Sequence, residues 1–363
     1  MLFEKHPRVP KRLDFRTRSA SGKIRYVVES ARAVVKERFD VVICSHINLL
    51  PIASAAAAAQ QVPLLLVLYG IESWTPPRGF AAKLVKRPDA IVAISEYTKQ
   101  RFLQWSGVSS EKVHVIPCGV DAKRYGVGPK REDLLARYRL RGRTVMLTVA
   151  RLAGKERAKG IDEVMESLTD LAREIPNISY LIVGDGHDRR RLEAKALSLG
   201  VSNRVVFAGF VPEEEKADHY RLADAFVMAG RGEGFGIVYL EALACGLPII
   251  ASSLDASCEV VLNPSFGRVV NPDRPQELKA ACLELLGARG RVRARAVPRE
   301  LSTFSLSSFR ARWNWLLAEM SVGDLASLPT LTREPAYVGG RGHGAAFGVQ
   351  APTPSTGGVA VER

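Results

Sequence analysis

"GRGEGFGIVYLEALACGLPIIAS" occupies residues 230–252 and reads as a glycine-rich turn, an apolar helix and a short β-branched strand. Glycines at 232, 234 and 236 let the backbone approach a ligand closely. A helix beginning near Gly236 points its free N–H groups and positive dipole end back at that turn, which suits an anion. Glu233 stands in the turn. Glu241 lies about one and a half turns into the helix, roughly 7–8 Å along its axis. The competing reading makes Glu233 a solvated loop residue and Glu241 an ion-paired one, as charged residues usually are. The apolar surroundings "VYLEALACGLP" and the flanking glycines favour a ligand instead.

The strand that ends this stretch belongs to a series. Residues 144–149, 178–183, 204–207, 225–228 and 247–251 are short apolar runs separated by helical patterns, as a doubly wound parallel sheet requires. An earlier series lies at 40–45, 62–68, 89–94 and 113–117, with helices in "KIRYVVESARAVVKERF" and in "SEYTKQRFLQWSG", where Ser95 is the N-cap and Gly107 the stop. The expected fold is α/β with two Rossmann-like domains facing a cleft. The first covers 1–125, the second 126–302, a closing helix 303–320 and a disordered tail 321–363. Ligands of such sheets bind at the carboxyl ends of the strands.

Composition sets the outer limits. The 363 residues carry 52 Lys and Arg against 38 Asp and Glu, a net charge of +14, which favours anionic partners. Five scattered cysteines without a C-x-x-C spacing argue against a disulfide framework or a zinc site, and for a reducing cytoplasm. The start has no apolar signal segment, and "INLLPIASAAAAA" falls short of the roughly 20 residues that cross a bilayer. Nucleic-acid binding lacks the basic motifs interleaved with aromatics that it needs.

Two further segments point at phosphate. In "LTVARLAGKERAKGIDEV", Arg151 follows a strand, and Lys159 and Gly160 precede a helix, so charge and N–H donors converge. A solvated basic loop is the alternative. "LIVGDGHDRRRLEAKA" gives a strand, a glycine turn at Gly184 and a helix, but Arg189 replaces the third glycine of G-x-G-x-x-G, and no P-loop appears.

Taken in order, "LYGIESW", "AISEYTKQRF", "VIPCGVD", "VARLAGKERAKGID", "YLIVGDGHDRRRLEAKA", "VVFAGFVPEEE", the Glu233–Glu241 pair and "GLPIIAS" resemble the retaining glycosyltransferases of family 4, which have the GT-B fold. The likeness covers about residues 25–320. The resemblance implies a nucleotide-diphosphate sugar, UDP- or GDP-linked, as donor, and no cofactor or metal. By position, Arg151 and Lys159 would hold the diphosphate, Glu241 the ribose and Val211 the base through its backbone. Glu233 and the amides of Gly234, Phe235, Gly236 and Ile237 would meet the donor sugar, with Gly184 on the same rim. Tyr69 and Glu72 fall on the acceptor side; His46 in "CSHINLLP" follows a strand and either points into the same cleft or caps the strand end for packing reasons. The acceptor would be a glycan or a lipid-linked sugar in cell-surface polysaccharide or glycolipid synthesis, with basic residues near 5–25 and 83–87 touching the anionic inner membrane face.

Two departures stand out. The first strand and glycine-rich loop of the family are not visible in the opening residues, and Tyr69 stands where relatives often place a histidine. The first departure leaves room for a non-catalytic nucleotide-sugar-binding subunit.

Overall fold

The computed structural model describes residues 22–287 and 297–321. The tail expected over 321–363 and the basic residues 5–21 lie outside them almost entirely. Two parallel sheets organise the chain.

The first sheet is built from α1 (Lys23–Lys36), β1 (Val42–Cys44), α2 (Leu50–Gln60), β2 (Leu64–Leu68), α3 (Ala81–Leu84), β3 (Ala90–Ala93), α4 (Glu96–Ser106) and β4 (Val113–Val115). Its strands lie in the order β1-β2-β3-β4, all parallel. Because side chains alternate along a strand, Leu64, Leu66 and Leu68 join Leu50, Leu84 and Phe102 on one face. Leu65 and Val67 turn to the other face with Ala90 and Val92. α4 begins at Ser95, whose hydroxyl accepts from the Thr98 amide, and ends at Gly107 with φ 61°, as its capping residues dictate.

The second sheet takes in α5 (Glu132–Arg137), β5 (Thr144–Val149), α6 (Ile161–Glu174), β6 (Ile178–Val183), α7 (Arg189–Ser198), β7 (Val205–Gly209), α8 (Lys216–Leu222), β8 (Ala225–Val227), α9 (Ile237–Ala244), β9 (Ile249–Ser252), β10 (Gly267–Val270) and α10 (Pro275–Leu286). The order is β10-β9-β8-β5-β6-β7, parallel throughout. Val145 and Leu147 pack on one face and Met146 on the other, so both faces are buried. The chain runs outward from β5 to β7, then returns to place β8 beside β5. That reversal opens a crevice at the carboxyl ends of β5 and β8. β10 is an element that the apolar runs of the sequence do not announce, because Arg268 interrupts it at the sheet edge.

The closing helix α11 (Leu306–Ser321) crosses back to the first sheet. Leu316 is buried against Leu65, Val67, Ala90 and Val92, with Phe309 and Trp313 packed alongside. Full burial of a leucine contributes about 1.5–3 kcal/mol. The face that no helix of the first unit covers is therefore closed by the C-terminal end of the described chain. The Val120 amide donates to Phe304 O at 2.8 Å, tying the outgoing and returning strands of the linker together.

Candidate active site

The crevice between β5 and β8 is where the predicted donor residues meet. Lys159 ends a 3-10 turn after β5, and its ammonium lies 3.0 Å from Glu233 Oε2, both side chains about one-fifth exposed. Gly160 then starts α6 at φ 77°. A Cβ there would stand 2.2 Å from Ala229 O, so only glycine lets the start of α6 sit under the end of β8. Gly184 makes the same kind of approach to Ala150 O, and its amide donates to Gly209 O.

Arg151 is exposed and lines, with Lys159, a small recess that also includes Leu152, Asp162 and Asp188. The acids of the α6 first turn are already engaged. Asp162 takes a bidentate fork from Arg191 at 2.7 and 2.8 Å and a bond from Lys195 at 2.7 Å. Those hydrogen bonds outweigh burial and hold its carboxyl down at about 2. Glu163 pairs with Arg231. Arg151 and Lys159 are the cations that line the recess, Lys159 in its pair with Glu233.

On the β8 side, Gly236 at φ 97° opens α9, and its missing side chain is required because a Cβ would strike the Tyr239 ring. Phe235 is buried against Phe304, rings 5.6 Å apart, so only its main chain is offered to a ligand. Ile237 is 42% exposed at the first turn. Asp255 is fully buried and anchors the turn: its carboxylate accepts from the Glu233 amide at 3.0 Å and from Ser257. Burial pushes the Asp255 carboxyl above its ordinary range, against the pull of those donors.

Glu241 is 5% exposed and heavily engaged. Tyr220 donates to Oε2 at 2.7 Å, while Tyr125 and Lys216 each lie 2.8 Å from Oε1. Tyr125 lies equally close to Glu213. A carboxylate has about four lone-pair sites, so one remains for an incoming hydroxyl. Of the two readings of Glu241, ion pair and ligand contact, the first is realised through Lys216 and leaves the second open. Val211 packs partly buried beside the same core.

The first unit approaches through the loop Tyr69–Trp74. The main chains of Gly70 and Gly234 touch so closely that a Cβ on Gly234 would lie 2.1 Å from Tyr69 O. Ser95 Oγ donates to Gly234 O at 2.8 Å. Tyr69 is half exposed, and Glu72 accepts from its amide. Burial raises the Tyr69 phenol, helped by Cys118 and Glu72. The Cys118 thiol is pushed up to about 11 by burial and by the nearby Glu233 carboxylate, and so stays protonated. His46 instead caps the 3-10 turn Ile47–Leu49, its ring accepting from the Asn48 amide at 3.2 Å. No described contact joins His46 to Glu233 or Tyr69.

Asp255, Tyr125, Tyr220 and Lys216 were missed by the sequence reading. Only Asp255 carries a local signal, in the "SLDAS" capping pattern.

Residues 131–298 match the family described as Glycosyl transferases group 1, and residues 2–124 match Glycosyltransferase Family 4. The chain belongs to glycosyltransferase family 4. Among relatives of this family 4 chain, a GDP-mannose-dependent alpha-(1-6)-phosphatidylinositol monomannoside mannosyltransferase of Mycolicibacterium smegmatis is 36% identical over 58% of this chain and 56% of its own. A D-inositol 3-phosphate glycosyltransferase of Xylanimonas cellulosilytica is 31% identical over 57% and 49%. The match thus spans about half the length of these curated relatives. Anabaena HepE, solved in complex with UDP and glucose, superposes with a TM-score of 0.69 at 21% identity, covering 80% of each chain. It shows the GT-B fold.

Proposed function

We propose that this family 4 chain is a retaining, metal-independent glycosyltransferase that moves a sugar from a nucleotide-diphosphate donor to a lipid-linked acceptor. The observation that carries the reading is the meeting of Lys159 and Glu233 at 3.0 Å in the crevice between β5 and β8, at the starts of α6 and α9. A diphosphate placed there meets Arg151, Lys159 and helix N-termini, which stabilise it as it leaves. Lys159 then exchanges its partner, releasing Glu233 to the hydroxyls of the donor sugar. Glu241 takes the ribose on its remaining lone pair, and the Val211 main chain meets the base.

The main-chain amides from Gly234 to Ile237 face the sugar. Retention follows if the acceptor hydroxyl attacks from the side of the departing phosphate, which takes up its proton. The activities of the relatives make GDP-mannose the first donor to try and a phosphoinositol glycolipid the first acceptor. The +14 charge suits such an acceptor and peripheral contact with an anionic leaflet. No helix of the described residues is long and apolar enough to cross a membrane.

A second reading, a nucleotide-sugar-binding subunit without turnover, is favoured by one observation: the described first sheet has no reversal of strand order. The test is transfer of radiolabelled sugar from GDP- and UDP-sugars to extracted glycolipids. Acceptor-dependent transfer that Lys159→Ala abolishes supports the enzyme; donor binding with no transfer in any combination supports the subunit.

A further inference from the structure

A second contact between the two units runs through charge. The 3-10 segment Ala256–Val260 follows β9, and Glu259 on it reaches the first turn of α4. Its Oε2 accepts from the Glu96 amide at 3.0 Å and its Oε1 from the Tyr97 amide at 2.6 Å. Ser95 already accepts from the third amide, that of Thr98. The Tyr97 phenol returns the contact by donating to Leu254 O at 2.9 Å. Two of the orphan donors of α4 are thus satisfied by a carboxylate 162 and 163 positions away, at the end of the helix that attracts negative charge.

The other end of the same segment holds the donor turn. Asp255 accepts from the Glu233 amide, and Glu233 O accepts from the Ala256 amide at 3.0 Å. Leu254–Val260 is therefore a brace, fixed to the glycine turn at one end and to α4 at the other. α4 already has a local cap in Ser95; its other two first-turn amides are taken by Glu259 of the opposite unit, on the segment that also fixes Glu233.

We infer that Glu259 is a positioning residue, which holds the acceptor-side unit in register with the donor turn by capping α4 across the cleft. The inference rests on the transferase reading for its kinetic consequence, but not for its structural one. Breaking two charge-assisted hydrogen bonds shifts the ratio of opened to apposed arrangements by on the order of tenfold or more.

The full chain is compared with Glu259→Ala, Glu259→Gln and a control, Gln60→Ala. Gln60 bonds Val34 O and Glu37 O and touches neither the brace nor the cleft. In Glu259→Ala the amides of Glu96 and Tyr97 exchange on the order of tenfold faster, and small-angle scattering shows a larger radius of gyration. GDP and UDP affinity stays within about twofold, while kcat falls on the order of tenfold. Glu259→Gln, which keeps one acceptor oxygen, recovers part of each effect. The control lowers stability without moving exchange at α4, the radius or kcat.

An unchanged radius and unchanged kcat in Glu259→Ala, with only a lower unfolding temperature, would reduce Glu259 to an ordinary cap and overturn the inference. Should no sugar transfer occur with the unmodified chain, exchange and scattering still decide the positioning role, so the two readings fail separately. Should Glu259→Ala not fold, the same measurements on Glu259→Gln decide it.

Discussion

Replacing Glu241 by alanine separates its structural role from its proposed ligand role. In the structure, Tyr125 and Lys216 both have a second acceptor in Glu213, at 2.8 and 3.2 Å. The fully buried Tyr220 hydroxyl has only Glu241 among its described partners. Glu241→Ala therefore orphans one buried hydroxyl, about 1–3 kcal/mol, and empties a well-packed site, adding about 1 kcal/mol. A total near 3 kcal/mol lowers the unfolding temperature by roughly 6–12 °C for a unit of this size.

Thermal unfolding followed by circular dichroism measures the loss. Combining the change with Tyr220→Phe removes the orphan, so the double variant is more stable than the two single losses predict. Nucleotide binding weakens in Glu241→Ala and stays weak in the double variant, because the phenyl ring restores stability without restoring the acceptor. A drop of less than about 2 °C in Glu241→Ala, or strict additivity in the pair, would refute the reasoning.

Gly160→Ala places a Cβ 2.2 Å from Ala229 O at φ 77°; with about 1–2 kcal/mol for the left-handed backbone and about 1–3 for overpacking, urea unfolding shows a loss near 3 kcal/mol. Gly234→Ala meets Tyr69 O at 2.1 Å, so it separates the units and slows transfer while nucleotide affinity holds, checked by steady-state kinetics and calorimetry. Asp162 has its pKa lowered to about 2 from 3.8, so its stabilisation is present above about pH 4 and lost as pH falls toward 2. After solvent screening it amounts to about 1 kcal/mol, and acid titration of Asp162→Asn lacks that component.

Much of the fold was legible because buried parallel strands are written as unbroken apolar runs, and four of them in the first unit and five in the second appear close to the expected positions. β10 was not, since an edge strand with Arg268 in its middle breaks the pattern. The Glu233–Glu241 turn was legible because glycine spacing, a helix start and a strand leave few alternatives. Its supports were hidden. Asp255 reaches Glu233 over 22 positions, Tyr125 reaches Glu241 over 116, and Glu259 reaches α4 over more than 160. Such pairings are set by how the two sheets meet, and no local period records that. His46 allowed two readings in sequence, a cleft residue or a strand-end cap, and its ring accepts from the Asn48 amide, a local bond that the second reading requires.

The most direct measurement is a calorimetric titration of GDP and UDP into the full chain and into the Arg151→Ala/Lys159→Ala variant. The account predicts one-to-one binding of at least one nucleotide and a loss of roughly tenfold or more in the variant, as removal of two phosphate-facing cations requires. Binding that is unaffected by the two substitutions, or no binding of either nucleotide, would contradict the placement of the donor in the crevice between β5 and β8.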